Sequence, residues 1–274
     1  MGVVNSILGA VFDVLFAPFG RLGPWPGLIA ISALTGIVML LIFKATSNQD
    51  GIKRAKNLIK ARLLEIRLYK NDTGRSFKAL GAILAANFRY MGYALKPMLV
   101  MIVPVLLILA QLNLRYGSES LRPGGQALVK LTLAQGTGAV ETPIALKAPA
   151  GLTIETPPVR IEEEGEVDWR VRADAPGRYL LSFDINGTAV EKSVSAGEAQ
   201  PSKVSPLRSR TFLDLVLYPG EKPLPKNVPA ASIAVIYQPQ RLPLFGGTVH
   251  WLVAFLVLSI VAGFALRGVF KVEI

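Results

Sequence analysis

Three uncharged apolar runs constrain this chain more than any other feature: residues 27–43 (GLIAISALTGIVMLLIF), 98–114 (MLVMIVPVLLILAQLNL) and 245–266 (FGGTVHWLVAFLVLSIVAGFAL). None contains Asp, Glu, Lys or Arg, and each approaches the roughly 20 residues that cross about 30 Å of hydrocarbon. With 51% apolar residues and a net charge of +11, the composition fits a membrane protein better than a soluble domain. The first run lacks the short core and small-residue cleavage site of a secretory signal, so the N-terminus is expected to be retained. The expected fold class is an α+β membrane protein with three transmembrane helices.

Charge then sets orientation. Lys53, Arg54, Lys56, Lys60, Arg62, Arg67, Lys70, Arg75, Lys78 and Arg89 outnumber Asp50, Glu65 and Asp72 between the first two runs, and Arg267 and Lys271 follow the third. The positive-inside rule makes both segments cytoplasmic, which leaves the N-terminus and residues 115–244 outside. The resulting divisions are 1–26 (an N-terminal segment on the outer leaflet), 27–44 (first span), 45–91 (basic loop), 92–114 (second span), 115–244 (outer domain), 245–266 (third span) and 267–274 (tail).

The N-terminal segment reads as an interfacial helix, with Val4, Ile7, Leu8, Val11, Leu15 and Phe16 near one stripe. Gly23, Pro24, Trp25 and Pro26 make a rigid corner, with Trp25 at aromatic-belt depth. The basic loop reads as a cytoplasmic helical hairpin. Ser47, Asn48 and Asp50 can cap a helix running to about Lys70, and Ile52, Ile59, Leu63, Ile66 and Tyr69 recur at helical spacing. Asn71, Asp72, Thr73 and Gly74 break it. A second helix follows from Arg75, its apolar side Phe77, Leu80, Ile83, Leu84 and Phe88, and runs into the second span.

The order of these pieces resembles the YidC and mitochondrial oxidase-assembly superfamily of membrane insertases, and is most similar to its compact three-span branch, which includes archaeal homologues and the related subunit of the endoplasmic-reticulum membrane protein complex. The residues that carry the resemblance are NSILGAVFDVLFAPF (5–19), SNQDGIKRAKNLIKARLLEI (47–66) and KPMLVMIVPVLLILAQL (96–112). It implies a polar intramembrane groove in which the hydrophilic flank of a nascent segment waits while its apolar part enters the bilayer. It implies no cofactor. Groove candidates are Thr35, Asn87, Arg89, Tyr93, Lys96, Ser259 and Arg267. Lys96 also reads as a lysine snorkelling to the interface, and Gln111 and Asn113 as interhelical hydrogen-bonding residues. Residues 27–43 lack the arginine that many bacterial members carry in the first span. Pro97 and Pro104 either kink the second span or open a cavity beside it. Met91, Met98 and Met101 offer an adaptable apolar surface or plain packing.

Lys53, Arg54, Lys56, Lys60, Arg62, Arg67 and Lys70 are candidates for contact with the ribosome or with anionic lipid. Expected partners are the lipid bilayer, nascent membrane proteins, possible ribosome contact through the hairpin, and membrane or periplasmic subunits through the outer domain, without DNA.

The outer domain reads as an antiparallel β-sandwich similar to immunoglobulin-like modules. Val167, Trp169, Val171 and Ala173 alternate with polar residues, as do Tyr179, Leu181, Phe183 and Ile185, and Asn186-Gly187 signals a hairpin into 188–195. Residues 127–133, 142–146, 152–156, 211–217 and 232–238 are further expected strands, and 196–210 an expected loop. The chain has no cysteine, so packing alone holds this domain. Glu162, Glu163 and Glu164 form either a solvated turn or a cation site. The single His250, beside Trp251, has a neutral interfacial role, and no catalytic or metal motif is present. Two functions compete: an insertase or membrane chaperone, and a non-catalytic subunit of an envelope complex whose working part is the sandwich, both placed in a bacterial cytoplasmic membrane.

Overall fold

The computed structural model describes residues 2–19, 22–69, 71–198 and 201–273. The architecture is α+β, with antiparallel sheets and helices α1 (Gly2–Phe16), α2 (Pro24–Thr46), α3 (Gln49–Leu68), α4 (Thr73–Tyr116), α5 (Phe212–Leu217) and α6 (Trp251–Leu266). The chain divides into two compact units, Met1–Leu28 with Leu106–Val253 and Ile29–Val105 with Ala254–Ile274.

The helical unit is built from most of α2, all of α3, the first part of α4, and most of α6. Both α2 and α4 are long and apolar enough to cross a membrane. The 44-residue α4 runs unbroken through Pro97 and Pro104. Asn48 caps α3, its Oδ1 accepting from the Gly51 N–H at 2.8 Å, and Asp72 accepts from the Arg75 N–H at the start of α4 (3.0 Å). Packing between α3 and α4 uses small residues: a Cβ on Gly51 would meet Tyr93 at 2.8 Å, and Ile52, Ala55, Ala79, Ile83 and Ala86 are buried. The large apolar residues expected to face inward, Phe77, Leu80, Leu84 and Phe88, are exposed instead. The buried stripe at 79, 83 and 86 follows helical spacing, and alanine at 79 and 86 lets the backbones come close.

Helix α6 is shorter than the run of apolar residues that contains it. Arg241–Leu244 and Gly247–His250 pair as a hairpin, with Phe245 and Gly246 in its turn at φ 44° and 83°. Gly246-Gly247 releases the backbone into that turn, so the helix begins at Trp251, where His250 Nδ1 accepts from the Leu252 N–H at 3.2 Å. The lone histidine therefore stands as a hydrogen-bond acceptor at a helix start. Sixteen residues rise about 24 Å.

The other unit holds the sheets. Strands β1 (Gln126–Leu133), β2 (Ile144–Lys147), β3 (Leu152–Ile154), β4 (Val159–Ile161), β5 (Glu166–Ala173), β6 (Gly177–Ile185), β7 (Thr188–Ala196), β8 (Leu207–Ser209) and β9 (Ala230–Ile236) form two sheets. One has the order β3-β5-β1-β9-β8 with β4 also on β5, and the other β2-β6-β7. Their inner faces share one core, in which Trp169 of β5 meets Phe183 of β6 edge-on with centroids 5.7 Å apart. Alternation places these residues: Val167, Trp169 and Val171 all point inward, and so do Leu181, Phe183 and Ile185. Asn186 and Gly187, at φ 50° and 77°, make the two-residue turn joining β6 to β7. The expected strand at 211–217 is helix α5. Its apolar residues do not alternate, and the Leu215 N–H returns to the Thr211 carbonyl and the Tyr218 N–H to that of Asp214. The segment read as a loop contributes β8.

Helix α1 belongs to this unit and carries two apolar faces. Phe12 and Phe16 are buried, whereas Ile7, Val11 and Val14, an i, i+4, i+7 stripe, lie exposed; the Val4 side chain lies outside the described residues. Between the phenylalanines sits Arg115, its side chain 3% exposed, with its guanidinium carbon 5.6 Å and 5.3 Å from the two ring centroids. It donates to Asp13 Oδ1 at 2.6 Å and to Gln111 Oε1 at 3.0 Å, so Gln111 serves this arginine. Lys203 reaches the other Asp13 oxygen at 2.5 Å. Burial raises the Asp13 pKa, but the hydrogen bonds and charges of Lys203 and Arg115 outweigh that and hold the carboxyl below its ordinary value. A depressed folded-state pKa stabilises at pH above the ordinary carboxylate value of about 4, and that stabilisation is lost as pH falls through the folded value. The protection of α1 amides against hydrogen exchange in the full chain, corrected for the intrinsic rate at each pH, is expected to fall over that acid window. In Asp13→Asn, exchange starts faster at neutral pH and loses its acid step.

Candidate functional site

Within the helical unit, α2, α4 and α6 enclose a groove of about 440 Å³. Close approach of two helices closes one side of it. Gly36 of α2 lies against α6, where a Cβ would stand 2.7 Å from the Ser259 carbonyl oxygen and 3.1 Å from the Gly263 nitrogen. Ser259 and Gly263 are four residues apart, the spacing that lets small residues bring membrane helices together. Beyond this contact the walls are Met39 and Phe43 from α2, Met98 and Met101 from α4, and Phe255 and Phe264 from α6. Thr35, 5% exposed, Tyr90 and Ser259 are the hydroxyl-bearing residues of this apolar lining. The Ser259 Oγ is buried with no hydrogen-bond partner among the described residues.

The seven residues expected to line one polar groove are dispersed. Thr35 and Ser259 share the methionine-lined space. Arg89 and Tyr93 line a separate pocket of about 120 Å³ with Arg54. Arg267 belongs to a third pocket, near Lys53 and Lys56. Asn87 is exposed and bonds back to the Ile83 carbonyl at 3.2 Å, and Lys96 is exposed. The groove is thus apolar, with three hydroxyl-bearing residues, Thr35, Tyr90 and Ser259, in its lining. What sequence reasoning missed is Gly36 with Ser259 and Gly263, a signal present as small residues spaced by four on α6.

Among the basic-hairpin candidates, Lys53, Arg54, Lys60 and Arg67 are exposed. Lys56 pairs with Glu273 at 3.6 Å and Arg62 with Glu65 at 2.6 Å; Lys70 lies outside the described residues. Between these cations the hairpin exposes Leu64 (65%), Phe77 (75%) and Phe88 (71%), a basic and apolar surface of the kind that settles on an anionic membrane. In the sheet-bearing unit Glu162 accepts from the Val140 N–H at 2.8 Å, which gives that acidic turn a structural use. Neither a protein-family model, a curated protein nor a solved structure matches the chain.

Proposed function

We propose that the protein is a membrane insertase or membrane-protein chaperone of the YidC and mitochondrial oxidase-assembly type. The observation that carries this reading is the groove among α2, α4 and α6, with its methionine walls and unpartnered Ser259 hydroxyl. Methionine side chains adapt to varied apolar shapes. A polar group stranded in hydrocarbon costs several kcal/mol, so hydroxyl-bearing residues in an apolar wall offer the client's polar flank a partner midway. In this reading α6 is a third crossing, short enough to thin the bilayer locally, and the N-terminus and the immunoglobulin-like sandwich face outward. The basic hairpin meets anionic lipid or the ribosome on the cytoplasmic side of a bacterial inner membrane. No step requires covalent chemistry or a cofactor.

Photo-crosslinkers at Thr35 and Ser259 during synthesis of short-tailed membrane proteins are expected to capture nascent chains, and one at the outward-facing Lys96 to capture far fewer. Equal capture at all three positions, or none at Thr35 and Ser259, overturns the proposal. A second reading, a subunit of an envelope complex, draws support from the outer unit's exposed Phe212 (61%), Leu213 (66%) and Phe245 (102%). Crosslinks confined to one stable partner and to those residues favour it.

A further inference from the structure

The segment after α6 folds back onto the start of α3 and is held at three points. Lys44 Nζ donates to the Phe270 carbonyl at 2.8 Å, the Glu273 N–H donates to Gln49 Oε1 at 2.7 Å, and Val272 is buried. The result is a cavity of about 610 Å³ into which Lys53, Lys56, Arg267 and Lys271 project, opposed by Asp50 and Glu273. Glu273 is already paired with Lys56. Lys53, Arg267 and Lys271 form no ion pair with a carboxylate among the described residues, so the cavity carries an unanswered positive charge.

We infer that this cavity binds the phosphodiester headgroup of an anionic phospholipid. Charge complementarity asks for an anion, and two further observations favour a lipid over a soluble one. Arg267 lies over the ring of Phe264, 5.7 Å from its centroid, so one wall of the cavity continues directly into α6. Along that helix Val261 (59%) and Phe264 (52%) are exposed, an apolar track for the acyl chains below a headgroup held by Arg267 and Lys271. Basic pockets at the cytoplasmic ends of membrane helices take anionic headgroups by this combination. The inference rests on the membrane orientation proposed above, and not on the groove or its clients.

Native mass spectrometry of the full chain in detergent, titrated with phosphatidylglycerol, phosphatidylcholine, inorganic phosphate or a short RNA oligonucleotide, tests it. Phosphatidylglycerol is expected to be retained over phosphatidylcholine. Arg267→Gln with Lys271→Gln should weaken it roughly 10- to 30-fold, the effect expected of two cations at a membrane surface. Arg267→Lys with Lys271→Arg should keep most of it, and Arg75→Gln with Lys78→Gln, the same charge removed elsewhere on the hairpin, should leave it unchanged. Circular dichroism melts establish that each variant is folded. Equal retention of both lipids, an equal loss in the Arg75/Lys78 control, or displacement of the lipid by phosphate or RNA overturns the inference. Loss of nascent-chain crosslinks at Thr35 and Ser259 with lipid selectivity intact refutes the insertase reading alone.

Discussion

Lys192→Met is expected to destabilise the sheet-bearing unit by about 3 kcal/mol, which corresponds to a fall in its melting temperature of about 10 °C. Lys192 occupies an inward position of β7 between Val190 and Val194 and is 0% exposed. Its Nζ donates to the Ser205 carbonyl at 2.6 Å and to Glu221 Oε1 at 2.7 Å. Glu221 also accepts from the Ser193 N–H at 3.2 Å and from the Ser193 hydroxyl. Methionine fills the lysine's space but leaves a mostly buried carboxylate without its cation, which is what makes breaking such a pair costly. Glu221→Gln produces the opposite imbalance. Burial lowers the Lys192 pKa and Glu221 opposes that; without the carboxylate, burial acts with less opposition. The folded state then binds the proton less readily than the unfolded state, so the stability of Glu221→Gln should rise with pH towards the ordinary lysine range, while Lys192→Met stays flat there. Hydrogen exchange of β7 amides in the full chain measures both. A flat profile for Glu221→Gln, or a loss under about 1 kcal/mol for Lys192→Met, means the pair is not the brace its geometry indicates.

That lysine also marks where sequence reasoning stops. Alternation along 167–173 and 179–185 announces β5 and β6 because burying one face is the only way such strands pay their entropy. Asn186-Gly187 names the turn because few other pairs tolerate two positive φ angles. The Asn48 cap and the Asn-Asp-Thr-Gly break are equally local. In β7, by contrast, Lys192 sits where alternation asks for an apolar residue, and the distant Ser205 carbonyl and Glu221 carboxylate make that tolerable. The hairpin before α6 hides within an apolar run because hydropathy does not register Gly246-Gly247. Residues 211–217 are apolar in either conformation, so short-range pattern cannot separate α5 from a strand. The groove fails for the same reason: polar residues in and beside the apolar runs were legible as a set, but which face of α4 each occupies depends on helix packing, and packing turns Asn87 and Lys96 outward.

Gly36→Leu is expected to abolish nascent-chain capture at Thr35 and Ser259 and to cost the helical unit about 3 kcal/mol, the upper end for overpacking a tight contact. Even a single Cβ at Gly36 would lie 2.7 Å from the Ser259 carbonyl oxygen and 3.2 Å from the Ala262 Cβ. Backbone cannot yield as a flexible side chain can, so α2 and α6 must separate. If α2 and α6 both cross a membrane, as proposed, they gain no hydrophobic drive from associating, and that close contact becomes a large part of what holds them. Gly92 of α4 supplies the control: nothing lies within 4 Å of a Cβ there, so Gly92→Ala should be neutral or slightly stabilising through helix propensity. Because the chain has no cysteine, a cysteine pair introduced at Met39 and Ile260, both lining the groove, can be spin-labelled at defined sites. Gly36→Leu should lengthen and broaden that distance while Gly92→Ala leaves it unchanged. An unchanged distance together with lost capture would move the cause from helix packing to the client itself. Unchanged distance with full capture would remove the α2–α6 contact from any role in forming the groove.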